Sequence, residues 1–132
     1  MAIEKQVVRY GPMEQFIPEG VRSGDLLTLS GQVSLDASGA VVGEGDIAAQ
    51  VVQAYKNVKE VLSHFDATMD NIVDEMWLVT DISNVMASMG TVWPLRAEAY
   101  GVANPDVSQT LVQVGGLAMP GLVIEVKCIA RV

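Results

Sequence analysis

Cysteine and histidine are the side chains that most directly signal chemistry, and this 132-residue sequence has one of each, Cys128 and His64. A thiol acts as a nucleophile in an electropositive, partly exposed setting. Cys128 instead shares one face of an alternating segment with Ile124, Val126 and Ala130, so it reads as a small buried hydrophobe. His64 falls in the last turn of a helical pattern, where an imidazole meets free carbonyls, and no Ser or Cys partner marks it as a general base. With one His, one Cys and no carboxylates at ligand spacing, neither a metal site nor a cofactor is expected. Gly39, Gly43 and Gly45 precede a helix without the strand and spacing of a nucleotide-binding turn. Two polar residues on otherwise apolar strands remain. Gln109 alternates with Leu111 and Gln113, and its amide suits a neutral amide, hydroxyl or carbonyl better than a bare anion; it fits a solvated or interface position equally well. Glu125 shares a face with Val123 and Lys127, which also allows a structural ion pair across strands.

The elements that must position these residues follow from punctuation and periodicity. A first strand is expected around Lys5 to Tyr10, then a long irregular connection from Gly11 to Gly24, a strand from Leu26 to Ser34, and a turn at Asp36-Ala-Ser-Gly39 before Ala40 to Val42. Asp46 is a candidate N-cap for a helix whose buried face carries Ile47, Val51, Val52, Tyr55, Val58, Val61, Leu62 and Phe65. Ile72 to Thr80 reads as a strand stopped by Asp81-Ile-Ser-Asn84. Val85 to Tyr100 reads as a second helix, kinked near Gly90 or restarted at Trp93 because Pro94 lacks a backbone donor. Ser108 to Val114 and Leu122 to Arg131 are expected to close the chain as an antiparallel ribbon. The order β-β-β-α-β-α-β-β predicts an α+β two-layer domain spanning 1–132, with both helices on one face of a mixed sheet. Its other face needs covering, and half the residues being hydrophobic points to a copy of the chain itself.

Composition excludes several partners. A formal net charge of −8, with no run of Lys or Arg, repels phosphate backbones and anionic lipid, so no nucleic-acid and no membrane partner is expected. The N-terminal Met-Ala-Ile-Glu-Lys lacks the apolar run of a signal peptide, and no stretch of about 20 apolar residues is present. A single cysteine fits a reducing compartment, and the expected location is the cytoplasm.

Several fragments, in order and spacing, resemble the Rid (YjgF/YER057c/UK114) family. They are Leu26-Leu-Thr-Leu-Ser-Gly-Gln32, Gly45-Asp-Ile-Ala-Ala-Gln50 with Asn57-Val-Lys-Glu-Val-Leu62, Asp70-Asn-Ile-Val73, Leu78-Val-Thr-Asp81, Asn104-Pro105, Leu111-Val-Gln-Val114 and Ile124-Glu-Val-Lys-Cys-Ile-Ala130. The resemblance implies a chorismate-mutase-like fold with a mixed six-stranded sheet and two helices on one face. It also implies a homotrimer with an inner barrel and a small-molecule cleft at each subunit interface. In the family's deaminase branch an arginine on the penultimate strand grips a substrate carboxylate, and a glutamate on the last strand positions or activates the water that hydrolyses an imine. Carried over, the glutamate is Glu125, whereas the arginine's position holds Gln109. The family's Ser-Gly anchor corresponds to Ser30-Gly31, its early-loop tyrosine to Ile17 with Phe16 beside it, and its asparagine near the second helix to Met89. Each position has a structural alternative: a strand bulge or turn at Ser30-Gly31, and core packing for Met86, Met89 and Trp93.

The loss of the arginine weakens carboxylate binding by about 1–3 kcal/mol, since charge-assisted bidentate contacts are roughly twice as strong as neutral ones. The expected function is processing of a reactive imine, enamine or related metabolite by a hydrolase of deaminase type other than a standard 2-aminoacrylate deaminase. The alternative is a non-catalytic trimer that binds a metabolite or partner. A ribonuclease role conflicts with the charge and with the absence of a basic patch.

Overall fold

The computed structural model describes residues 2–132; Met1, the first residue of the N-terminal segment read above, lies outside them. Helix α1 (Ile47–Ser63) starts where the pattern says it should, because Asp46 is extended and its Oδ1 accepts from the Ala49 amide at 3.1 Å. Ile47, Val51, Ala54, Tyr55, Val58, Val61 and Leu62 bury one face. Val52, expected on that face, is 52% exposed, since one residue on from Val51 it is rotated by about 100° around the axis. Gln50 is the buried polar residue instead. Its Nε2 donates to the Gly43 and Gly121 carbonyls at 2.9 and 2.7 Å, and its Oε1 accepts from the Val123 amide at 2.8 Å, which ties the helix start to the entry of the last strand.

The sheet has the lateral order β1 (Gln6–Val8), β2 (Gly20–Ser23), β3 (Leu26–Leu29), β7 (Ile124–Arg131), β5 (Ile72–Val79), β6 (Ser108–Gln113), and β4 (Gln32–Val33) also pairs with β7. Six lateral positions thus hold seven strands, because the single strand expected over Leu26 to Ser34 divides at Ser30-Gly31. Thr28 faces Ile129 while Gln32 faces Val126, so β3–β4 accommodates one more residue than β7, the signature of a bulge. The connection expected to be irregular from Gly11 to Gly24 supplies β2, the first strand shortens to Gln6–Val8, and Ala40 to Val42 yields only an isolated bridge between Leu35 and Val41. The turn before it forms as expected, with Asp36 Oδ1 accepting from Ser38 and Ala40 amides and Gly39 at φ 85°.

The terminal strands do not form an antiparallel ribbon. β5 lies between them, parallel to β6 and antiparallel to β7. Burial explains the order: β7 is buried at every second residue and takes an interior position, whereas β6 is largely exposed and takes the edge. The second helix is also divided, into α2 (Ile82–Ala87), capped by Asp81 Oδ1 on the Asn84 amide at 3.1 Å, and α3 (Met89–Tyr100). The break falls at Ser88, upstream of the expected Gly90 or Trp93, and Pro94 is accommodated inside α3. The helices cover one sheet face, where Leu27, Trp77, Val79, Ile124, Val126, Cys128 and Ala130 meet α1 in a continuous core. Cys128 is fully buried, as read, and burial followed by the nearby Glu75 charge pushes its thiol up. Among the described residues no helix is long and apolar enough to cross a membrane.

Candidate functional site

The bulge sets the site. At Ser30-Gly31 the chain leaves its register with β7; Ser30 N and Oγ bond the Glu19 and Pro18 carbonyls at 2.9 and 2.6 Å, anchoring the loop that precedes β2. Gly31 then passes so close beneath Glu125 that a Cβ there would overlap the carboxylate. Among the described residues no hydrogen bond or ion pair reaches the Glu125 side chain, so the cross-strand ion pair considered above does not form; Lys127 donates to the Leu29 carbonyl instead. The Glu125 carboxylate opens onto a cavity of about 580 Å³, in the size range of small-molecule sites. Ile17, Ser30, Gly31 and Glu125 line it together.

Other lining residues were not singled out from sequence. Tyr10 supplies an aromatic wall, stacked on His64 with ring centroids 4.4 Å apart, and burial, then the charges of Glu60 and Glu19, raises its phenol. His64 is therefore a packing residue at the end of α1. Gln32 donates to Glu19 at 2.8 Å, and Asn57 holds the cavity rim by donating to the Val33 and Leu35 carbonyls at 2.8 and 2.9 Å. A signal existed for Asn57, which stood in the quoted Asn-Val-Lys fragment; nothing in the local pattern marked Tyr10.

Three expected site residues lie elsewhere. Phe16, 71% exposed, is not part of the cavity wall, and its neighbour Ile17 takes that place. Met89 packs against the core at the start of α3. Gln109 sits opposite Glu75 across the β6–β5 pair, on the helix-covered face, while Glu125 pairs with Leu78 on the other face. Within one chain the sheet separates Gln109 from Glu125.

Gln109 belongs to a second polar constellation centred on Glu75. This carboxylate is completely buried and accepts from Tyr55 Oη (2.7 Å) and Tyr100 Oη (2.7 Å) on Oε1, and from Arg96 Nε (2.5 Å) and Gln109 Nε2 (3.0 Å) on Oε2. Arg96 is 4% exposed and lies between the Trp93 and Tyr100 rings, 4.6 and 5.1 Å from their centroids. Burial alone would lower the guanidinium; the Glu75 hydrogen bond and charge outweigh it and hold it above its ordinary value. Burial, then Glu75, likewise raises both tyrosine hydroxyls. Four donors on two oxygens satisfy this buried carboxylate. The sequence signal was available: Glu75 is the one charge on the alternation Glu75, Trp77, Val79 that faces the core.

An α+β two-layer chain whose bulged Ser-Gly underlies a free glutamate on its last strand has the architecture of the Rid proteins. The comparisons agree: the profile of the endoribonuclease L-PSP family matches residues 8–132, and the chain belongs to this YjgF/YER057c/UK114 (Rid) family. It is 37% identical over 112 residues to the RutC family protein YjgH of Escherichia coli, covering 85% of this chain and 79% of that one. The crystal structure of Rv2704 of Mycobacterium tuberculosis, a member of the YjgF/YER057c/UK114 family, superposes with a TM-score of 0.79 at 27% identity, covering 98% of this chain and 100% of that one. The conserved Rid family protein YyfA of Yersinia pestis, described as of unknown function, gives 0.82 at 27% identity with the same coverage.

Proposed function

We propose that this chain is a Rid-type small-molecule hydrolase that processes a reactive imine, enamine or related metabolite in the cavity against Glu125, and that it is not a standard 2-aminoacrylate deaminase. The observation that carries this reading is the Glu125 carboxylate, held over Gly31, free of partners among the described residues and open to a cavity of small-molecule size. A carboxylate so placed can accept a proton from an attacking water and return it to the departing nitrogen. Gln109 offers no cation for a substrate carboxylate, and its amide donor is already engaged by Glu75. We further propose that the protein acts as a homotrimer in the cytoplasm, the uncovered sheet face being the assembly surface, without nucleic-acid or membrane partners.

The test generates imines in situ with an amine or amino-acid oxidase and follows ammonia release, with oligomeric state checked by light scattering. Accelerated hydrolysis of imines without a carboxylate, with 2-aminoacrylate turned over poorly, is expected; robust 2-aminoacrylate deamination would overturn the exclusion. The engagement of Gln109 by Glu75 favours one second reading, a trimer that binds a metabolite without turnover, for which no imine in the panel would be hydrolysed faster than in buffer.

A further inference from the structure

Charge distinguishes this cavity from one built for an acid. Its wall carries four carboxylates, Glu19, Asp36, Glu60 and Glu125, and no Lys, Arg or His. Gln32 donates to Glu19, while the Ser38 hydroxyl and then the Ala40 amide donate to Asp36 and hold its carboxyl below the usual range. Among the described residues the side-chain carboxylate of neither Glu60 nor Glu125 receives a hydrogen bond or ion pair, Ser63 donating to the Glu60 backbone carbonyl. Lys56 lines an adjoining outer groove with Asp36 and Glu60, not the cavity itself. Among the described residues no three His, Cys, Asp or Glu side chains are grouped as a metal ion would require, so the carboxylates face the cavity as separate charges.

A second copy closing the open side could draw on only the same eight Lys and Arg residues. Of these, Arg96 is spent on Glu75, Arg131 pairs with Asp25, and Arg9, Arg22 and Lys127 are on backbone carbonyls, which leaves Lys5, Lys56 and Lys59 against the four carboxylates of the wall. The apolar part of the wall, from Tyr10, Met13, Ile17, Met119 and Leu122, accepts a short hydrocarbon body, and Tyr10 offers a ring face to a cation.

From the cavity wall, its uniform sign and its two partnerless carboxylates, we infer that the ligand of this cavity is an amine-derived molecule, cationic or neutral at its polar end and lacking a carboxylate. This rests on the proposed function and names its substrate class: an iminium R–CH=NH₂⁺ formed from a primary amine. Hydrolysis then balances without a co-reactant. Water adds to the carbon while Glu125 takes one of its protons and passes it to nitrogen; the C–N bond then breaks with its electron pair leaving on nitrogen as NH₃, Glu125 takes the remaining hydroxyl proton as the C=O bond forms, and transfer of that proton to NH₃ gives R–CHO and NH₄⁺.

Binding separates this inference from the catalytic reading. NMR titrations of the intact protein use n-butylamine, butyramide and butyrate, which differ in charge at constant length. Opposite signs at a wall with two free carboxylates give an expected preference for the amine over butyrate of about tenfold or more, with butyramide between. Glu60→Gln, on the exposed side of α1, is expected to lower amine affinity by about threefold and leave butyramide unchanged. Butyrate binding as tightly as the amine, or no probe shifting cavity resonances such as those of Ile17 and Met119, would overturn the inference. Amine selectivity without turnover of any imine would leave the inference standing and sink the hydrolase reading.

Discussion

Glu75→Gln is the substitution with the most calculable consequence. The side chain keeps its shape, and its remaining carbonyl oxygen can still accept from Tyr55 and Tyr100. The new NH₂ group replaces Oε2, and it confronts two donors, Arg96 Nε and Gln109 Nε2, that now have no acceptor. Arg96, 4% exposed, is left as a buried cation without its counter-charge. Breaking one side of such a pair costs about 3–5 kcal/mol. A domain of this size has total stability of about 5–15 kcal/mol, so the melting temperature should fall by about 10–20 °C. Urea unfolding with a global fit of the slope is the assay. Arg96→Met in the same background should recover part of the loss, because removing the stranded cation leaves a neutral, packable site. If Glu75→Gln lies within about 1 kcal/mol of the wild type, the constellation is not a desolvated ion pair and the reasoning fails.

Three further outcomes are expected. Gln50→Ala should cost about 2–4 kcal/mol in urea unfolding, because it strands the Gly43 and Gly121 carbonyls and the Val123 amide at once; a loss under 1 kcal/mol would mean water replaces the amide. Stability should fall on the alkaline side. Cys128, Tyr55 and Tyr100 are held above their ordinary values in the folded chain, so the unfolded chain loses protons first, the folded state binds more, and stability present below about pH 9 declines from there through pH 10 and above. Urea midpoints measured from pH 8 to 11 check the sign, and Cys128→Ala should delay the onset. Gly31→Ala should displace the Glu125 carboxylate, abolishing cavity binding of amine probes at a stability cost of about 1–3 kcal/mol; unchanged binding would show that Glu125 is not held by that contact.

Long-period signals were legible in the sequence. The α1 face, its Asp46 cap, the turn at Asp36 and the buried alternation through Cys128 all follow from single-element chemistry. Strand adjacency was not legible, because a hairpin and a crossover are written with the same turn residues between Gln113 and Ile124, and only competition for the sheet centre places β5 between β6 and β7. The split of Leu26 to Ser34 into β3 and β4 was visible only as a possible bulge at Ser30-Gly31. At the site, Ile17, Ser30, Gly31 and Glu125 line one cavity. The contact that Gln109 makes was not legible, because it depends on Glu75, 34 positions away and opposite it only through a parallel register. Tyr10 and Glu19 come from the two ends of the β1–β2 connection and Glu60 from α1, and no local pattern couples them.

The central claim, that Glu125 in its cavity performs proton transfer on a bound small molecule, is tested most directly by the hydrolysis rate of an amine-derived imine with wild type and Glu125→Gln at equal folded concentration. The claim predicts a loss of about 100-fold or more for the variant, with unchanged oligomeric state and retained ligand binding. Undiminished turnover by Glu125→Gln would contradict it.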